Sequence, residues 1–228
     1  MKYGQLGKTG IEVSRLCVGC LSFGQPFSDS HMWTLNPEET ETIVRKALDL
    51  GFTFFDTANT YSHGTSEEYL GRAIKNSVSR DKVILATKVY FNEGHLSKKA
   101  IQREIDGSLK RLNTDYVDLY IIHRFDRTTP IEETMEALDG LVKCGKVRAL
   151  GASAMYGYQF YSMQVAAERN GWTKFCSMQN HYNLLYREDE REIIPLCKQE
   201  GVALTPFSPL AAGRLARVEW KSDRPRSQ

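Results

Sequence analysis

The chain has 228 residues, 41% hydrophobic and 25% charged, with a net charge of +2. That is an ordinary globular composition, long enough to bury one full core, and its small charge without a Lys/Arg-rich block argues against nucleic acid as a partner. No apolar run reaches the ~18 residues of a membrane span, and Met1-Lys2-Tyr3-Gly4 opens no signal peptide. The five cysteines (Cys17, Cys20, Cys144, Cys176, Cys197) are an odd number in mostly apolar settings. Free thiols in a reducing compartment, and hence the cytoplasm, are expected.

In chain order, Tyr3 to Ser14 reads as a small hairpin turning at Lys8-Thr9-Gly10, placed to plug the bottom of a barrel. The run Leu16-Cys17-Val18-Gly19-Cys20-Leu21 supplies a first strand. Asn36-Pro37-Glu38-Glu39 combines a cap residue, Pro at the first helical position and Glu at the third, and Gly51 closes that helix. Thereafter a β-rich run, a polar loop and an amphipathic helix alternate. The runs end near Asp56, Lys88, His123, Leu150, Gln179 and Pro206, 27 to 35 residues apart. Helices are expected near Ser66–Asn76, from Ser97 to Asn113, from Thr129-Pro130 to Gly145, and near Met155–Asn170 and Glu188–Glu200. In the second of these, Ile101, Ile105, Leu109 and Leu112 share one face.

Strands and helices alternating at this period predict a parallel sheet with right-handed crossovers, either doubly wound or closed. No G-x-G-x-x-G turn is present, and the chemistry-bearing residues are spread over several strand ends. Both points favour an α/β fold of the (β/α)₈ TIM-barrel type, as one domain over residues 1–228. Only seven parallel strands are found, the last at Val202–Thr205, and 22 residues follow Pro206. The expectation is a barrel incomplete in this chain, its eighth unit missing and two strand edges unpaired.

Four of those strand-end residues define the chemistry. Phe52-Thr53-Phe54-Phe55 leads into Asp56, with Tyr61 in the loop that follows. Val83-Ile84-Leu85-Ala86-Thr87 leads into Lys88, and Val117 to Ile122 into His123. A phenol holds its proton at neutral pH, and a nearby Lys88 ammonium is expected to lower its pKa and improve it as an acid. Asp56 would keep a buried Lys88 charged, and His123 would hold a carbonyl oxygen in line with the Tyr61 hydroxyl. That set delivers a proton to an oxygen gaining negative charge. No metal set is visible and no side chain reduces a carbonyl, so a hydride-carrying cofactor is implied.

Single features carry less. Cys17-x-x-Cys20 stands alone, and residues i and i+3 of a strand point to opposite faces, so neither a zinc site nor a redox pair is expected. Gly4-x-x-Gly7-Lys8-Thr9 lacks the glycine a phosphate loop needs five residues earlier. His31, His63, His95 and His181 read as loop or rim residues.

Gly51-Phe52-Thr53-Phe54-Phe55-Asp56-Thr57-Ala58, the stretch Tyr61 to Gly71, Thr87-Lys88, and Asp115-Tyr116-Val117-Asp118-Leu119-Tyr120 ending in His123 occur in a telling order. Together they resemble the motifs of the aldo-keto reductases over nearly the whole chain. The resemblance implies reduction of aldehydes or ketones to alcohols, with Tyr61 as acid, Lys88 and Asp56 tuning it and His123 orienting the carbonyl. It implies NADPH as cofactor, with NADH left open because the family's 2′-phosphate segment follows the point where this chain stops. By the same resemblance Ser153 and Gln179 hold the nicotinamide carboxamide, Phe207 stacks on the ring, and Ser208, Leu210 and Gly213 follow the pyrophosphate. Gly19, Cys20 and Asp56 fall beside the nicotinamide, Cys20 where the family usually has a small hydroxyl residue, which leaves a reactive thiol open. Ala154 stands where the family often has Asn. Trp33 and Tyr90 are candidate walls of a substrate pocket, and Arg124 a contact for an acidic or phosphate-bearing substrate. The alternatives are a cofactor-binding regulatory module like the potassium-channel β subunits, or an inactive fragment.

Overall fold

The structure is a computed structural model and describes residues 1–26 and 32–216. Two short antiparallel strands, β1 (Tyr3–Gln5) and β2 (Glu12–Ser14), form the expected hairpin. Seven parallel strands follow in chain order: β3 (Cys17–Gly19), β4 (Phe54–Asp56), β5 (Ile84–Val89), β6 (Val117–Ile122), β7 (Val147–Ser153), β8 (Phe175–Gln179) and β9 (Ala203–Leu204). Between them run α1 (Pro37–Asp49), α2 (Thr65–Ser77), α3 (Lys98–Leu112), α4 (Ile131–Lys143), α5 (Gly157–Asn170) and α6 (Ile193–Glu200). Among the described residues each strand pairs only with its neighbours in sequence, and the sheet curls in one direction as an incomplete (β/α)₈ barrel. Among the described residues β3 and β9 are its two edges.

Strand period sorts the side chains into two layers. Phe55, Leu85, Val89, Tyr120, Ile122 and Leu150 face outward and pack with Leu70, Ile101, Ile105, Leu138 and Phe160 of the helices. Phe54, Ile84, Ala86, Leu119, Ile121 and Ala149 face inward and pack with Leu6, Ile11 and Val13 of the hairpin. The hairpin thus closes the end of the inner face where the strands begin. An ideal Cβ on Gly7, whose φ is +59°, would lie 2.5 Å from the Cys176 carbonyl oxygen, so only glycine allows that approach.

Helix ends follow local chemistry. Asn36 and Glu39 form a reciprocal capping box at α1. Ser97 caps α3, and Asn113 ends it in the left-handed region. Three boundaries differ from expectation. β7 runs on to Ser153, because its pairing with β8 continues from Gly151↔Ser177 to Ser153↔Gln179. α5 begins at Gly157, where Gln159 accepts the Tyr156 backbone N–H. α6 begins at Ile193 rather than near Glu188, which lies in a separate 3₁₀ turn, Glu188–Glu190. Pro195 explains the last: it has no N–H to donate and is tolerated only in a first helical turn.

Candidate active site

The two-residue period that builds the core also builds the site. On the inward-facing rows Asp56 follows Phe54, Lys88 follows Ala86, His123 follows Ile121, Ser153 follows Gly151 and Gln179 follows Ser177. All five therefore arrive at the C-terminal ends of their strands, the end opposite the hairpin. Backbone bonds lock their heights: Thr57 N–H to Ala86 O at 2.9 Å, Asn59 N–H to Lys88 O at 3.2 Å and His123 N–H to Val89 O at 2.9 Å.

Lys88 is fully buried at the centre. Its Nζ donates to Asp56 Oδ2 at 2.7 Å, to the Thr57 carbonyl at 2.7 Å and to Tyr61 Oη at 3.2 Å. Burial alone would pull the ammonium pKa down, but Asp56 and Tyr61 outweigh it and raise it above its ordinary value. Lys88 is thus held charged. The expectation for Tyr61 is corrected in direction. Burial pushes its phenol up by more than the Lys88 charge pulls it down, so the proton is held more firmly than in water. The His123 ring meets the Tyr61 ring edge-on, with centroids 5.8 Å apart. Burial, then the charges of Lys88 and Arg124, push His123 down to about 3. The imidazole is therefore neutral, and its Nδ1 is buried without a hydrogen-bond partner, as is Asp56 Oδ1.

Tyr61 sits at the start of a strained turn. Ser62, His63 and Gly64 have φ of 46°, 53° and 92° in succession, a conformation that costs about 1–2 kcal/mol for each residue bearing a Cβ. A buried brace holds it from below. Glu67, fully buried, accepts from Thr87 Oγ1, next in sequence to Lys88, and from Arg111 Nε at 2.6 Å. The Arg111 side chain passes so close under Gly64 that a Cβ there would meet its Cδ at 2.8 Å.

At the ends of β7 and β8, Ser153 Oγ donates to the Gln179 carbonyl at 2.6 Å, and Gln179 Nε2 approaches Asp56 Oδ2 at 3.3 Å. A hydroxyl that donates once still has lone pairs to accept an amide. Asn180 Oδ1, the next residue, is buried and unpartnered. Ala154 has φ +48°, a region that Asn tolerates better than Ala. Phe207 is tied to this rim by its N–H to Asn180 O, 3.0 Å, and stays 41% exposed. In the loop beyond it, Leu210 is exposed, while Ser208 and Gly213 both have positive φ. Gly19 has open space where a Cβ would point. Cys20 is fully buried, and burial raises its thiol far above the ordinary range, so it is no reactive thiolate.

The Tyr90 ring stacks on His95, with centroids 4.8 Å apart, and meets Phe91 edge-on at 5.1 Å. Phe91, half exposed, stands edge-on to His123 at 5.0 Å, and the Arg124 guanidinium lies 6.0 Å from its ring. Phe91 was invisible to motif reading; its one sequence signal is an aromatic residue three positions after Lys88, in a loop. Trp33 is half-buried in the segment before α1, and His31 lies outside the described residues. Among the described residues no group of three or more His, Cys, Asp or Glu is arranged to hold a metal. No helix there is long and apolar enough to cross a membrane.

Comparison with known proteins gives the same answer as the motifs. Residues 15–228 match the Aldo/keto reductase family. The chain is 46% identical to an aldo-keto reductase of Fusarium vanettenii, across 94% of this chain and 65% of that relative. It is 43% identical to versiconal hemiacetal acetate reductase of Aspergillus parasiticus, across 97% of this chain and 71% of the relative. It is also 43% identical to a putative aryl-alcohol dehydrogenase of Schizosaccharomyces pombe, across 94% and 69%. The chain thus spans about two thirds of the length of the relatives it matches. It belongs to the aldo/keto reductase family.

Proposed function

We propose that the site reduces the carbonyl of a small aldehyde or ketone to an alcohol, with Tyr61 as the proton donor and a reduced nicotinamide dinucleotide as cofactor. The observation that carries this reading is the buried Lys88 ammonium, bonded at once to Asp56 and to the Tyr61 hydroxyl. The residues present fit such a cofactor. An unpartnered buried oxygen on Asp56, which Gln179 Nε2 approaches, and an exposed Phe207 ring offer a polar and a stacking contact. Ser153, Gln179 and Phe207 would hold the nicotinamide, with Gly19 and Cys20 beside it and Ser208, Leu210 and Gly213 along the pyrophosphate. When bound, the reduced nicotinamide supplies the hydride.

The protein residues handle the rest. Neutral His123 orients the carbonyl oxygen toward Tyr61, which gives up its proton as negative charge grows on that oxygen. The phenolate left behind is met by Lys88, a charge-assisted contact worth about 1.5–3 kcal/mol. Asp56 keeps the ammonium charged throughout. Phe91 and Arg124 line the approach and favour an aromatic carbonyl with a polar or anionic substituent, in keeping with the aryl-alcohol name of one relative. A purely regulatory cofactor-binding module would not require a neutral, unpartnered His123 beside Tyr61.

The test is Tyr61→Phe. Carbonyl reduction should fall by roughly 10²–10⁴-fold, while cofactor affinity by nicotinamide fluorescence should stay within about twofold. Turnover equal to the unaltered chain would remove Tyr61 from the proposal. Titrating NADPH and NADH side by side measures the dinucleotide preference, proposed as NADPH.

A further inference from the structure

Three rings stand in a row on the rim beyond β8. Phe207 stacks on His181, with centroids 5.1 Å apart and planes at 17°, and His181 stacks on Tyr186 at 4.7 Å and 19°. A parallel backbone bridge joins His181 and Phe207. Asn183, buried beneath them, fixes the polar side of the stack. Its Oδ1 accepts the N–H groups of Leu185 and Tyr186, at 2.9 and 3.0 Å. Its Nδ2 must then point the other way, where it donates to Ser208 O at 3.0 Å and meets His181 Nε2 at 3.2 Å. An amide nitrogen only donates, so Nε2 is the acceptor and the imidazole proton sits on Nδ1.

We infer that His181 is a positioning residue for the cofactor: its ring backs Phe207 and, through Asn183, it fixes Ser208. This rests on the reading of Phe207 as the nicotinamide-stacking residue. Ser208 holds a φ of 55°, which a serine keeps only when its surroundings impose it. The two outer rings of the stack lie at the surface, Tyr186 44% and Phe207 41% exposed. The stack therefore adds little to a core, and its order bears on the residues it holds. His181 touches neither Tyr61 nor Lys88 in this arrangement and has no part in the proton path.

Two variants of the 228-residue chain test the inference. His181→Ala removes ring and acceptor, whereas His181→Phe keeps the ring. Two properties are read, NADPH affinity by fluorescence titration and amide hydrogen exchange of residues 207–213 in the unliganded chain. Loss of one ring pair corresponds to about two- to twelvefold in affinity. His181→Ala should bind NADPH about fivefold more weakly, while His181→Phe stays within about twofold. The Ala211 and Gly213 amides, which donate to Ser208 O and Leu210 O, should exchange several-fold faster in His181→Ala, with the melting temperature unchanged. Unchanged exchange across 207–213 in His181→Ala overturns the inference, as does a loss in His181→Phe equal to that in His181→Ala. If the unaltered chain shows no saturable NADPH binding, the cofactor reading falls, and the exchange comparison still decides whether His181 holds the segment.

Discussion

Tyr61 and His123 are both kept uncharged by the same cause, removal from water, and each gains from it. On the proposed function, a phenol that holds its proton is loaded for transfer, and an imidazole that stays neutral would orient a carbonyl without adding a charge beside Lys88. The same burial has a cost in acid. The unfolded chain takes up a proton at His123 near its ordinary 6.5, the folded chain only at about 3. Between those values the unfolded state binds more protons, so stability should fall as pH drops from about 6.5 toward 3. Urea midpoints of the chain and of His123→Gln at pH 7 and pH 5 measure this. The variant should lose less between the two, and equal losses would rule out His123 as the source. Asp56, Lys88 and His123 were legible in the sequence because strand period and strand ends are written in residue types. The Thr57 carbonyl that accepts a Lys88 N–H was not, since any residue supplies a carbonyl. Nor was the net direction at Tyr61, where burial and a neighbouring charge oppose each other and sequence states only the charge.

The helices owe their ends to signals that sequence displays openly: Asn36 with Glu39, Ser97, and left-handed Asn113. Where a boundary was misjudged, as at α6, Pro195 carried the correction. Packing between helices is less visible. An ideal Cβ on Gly71 of α2 would lie 2.5 Å from the Leu112 carbonyl oxygen at the end of α3. Helix propensity favours Ala over Gly by about 1 kcal/mol. Overpacking against a backbone atom costs about 1–3 kcal/mol, so Gly71→Ala should destabilise the chain on balance. A higher urea midpoint for the variant would show that α2 and α3 can separate without penalty. The loops after β5 and β6 are joined by Asp126, which accepts from Leu96 N–H, Thr128 and Thr129. Burial pushes that carboxyl up, but these hydrogen bonds, led by Thr129, hold it at about 2. Its contribution is complete above about pH 4 and is lost as pH falls toward 2, below the window of the His123 comparison.

For the molecule as a whole, the hairpin and the candidate active site occupy opposite ends of one inner face. The strands cannot line a hollow, so Leu6, Ile11 and Val13 fill the lower end while polar groups fill the upper. Leu6, 1% exposed, is the deepest of the three. Leu6→Ala should cost about 2–5 kcal/mol, read as a lowered urea midpoint; a change under about 0.5 kcal/mol would mean that the hairpin rests on the barrel without supporting it. The alternation of strand and helix made the architecture and the strand number legible. The count of seven strands also made the two unpaired edges legible, and among the described residues these are β3 and β9.

Lys88 has three N–H bonds, and Asp56, Thr57 and Tyr61 take all three. A fully engaged cation has no N–H left for an incoming anion, so on the proposed function Lys88 would not read what a substrate carries. On the proposed function, selection among substrates would then fall to Phe91 and Arg124, which stand beside His123. If that function holds, changing those two should alter which carbonyls are reduced and leave the Tyr61–Lys88 contact untouched.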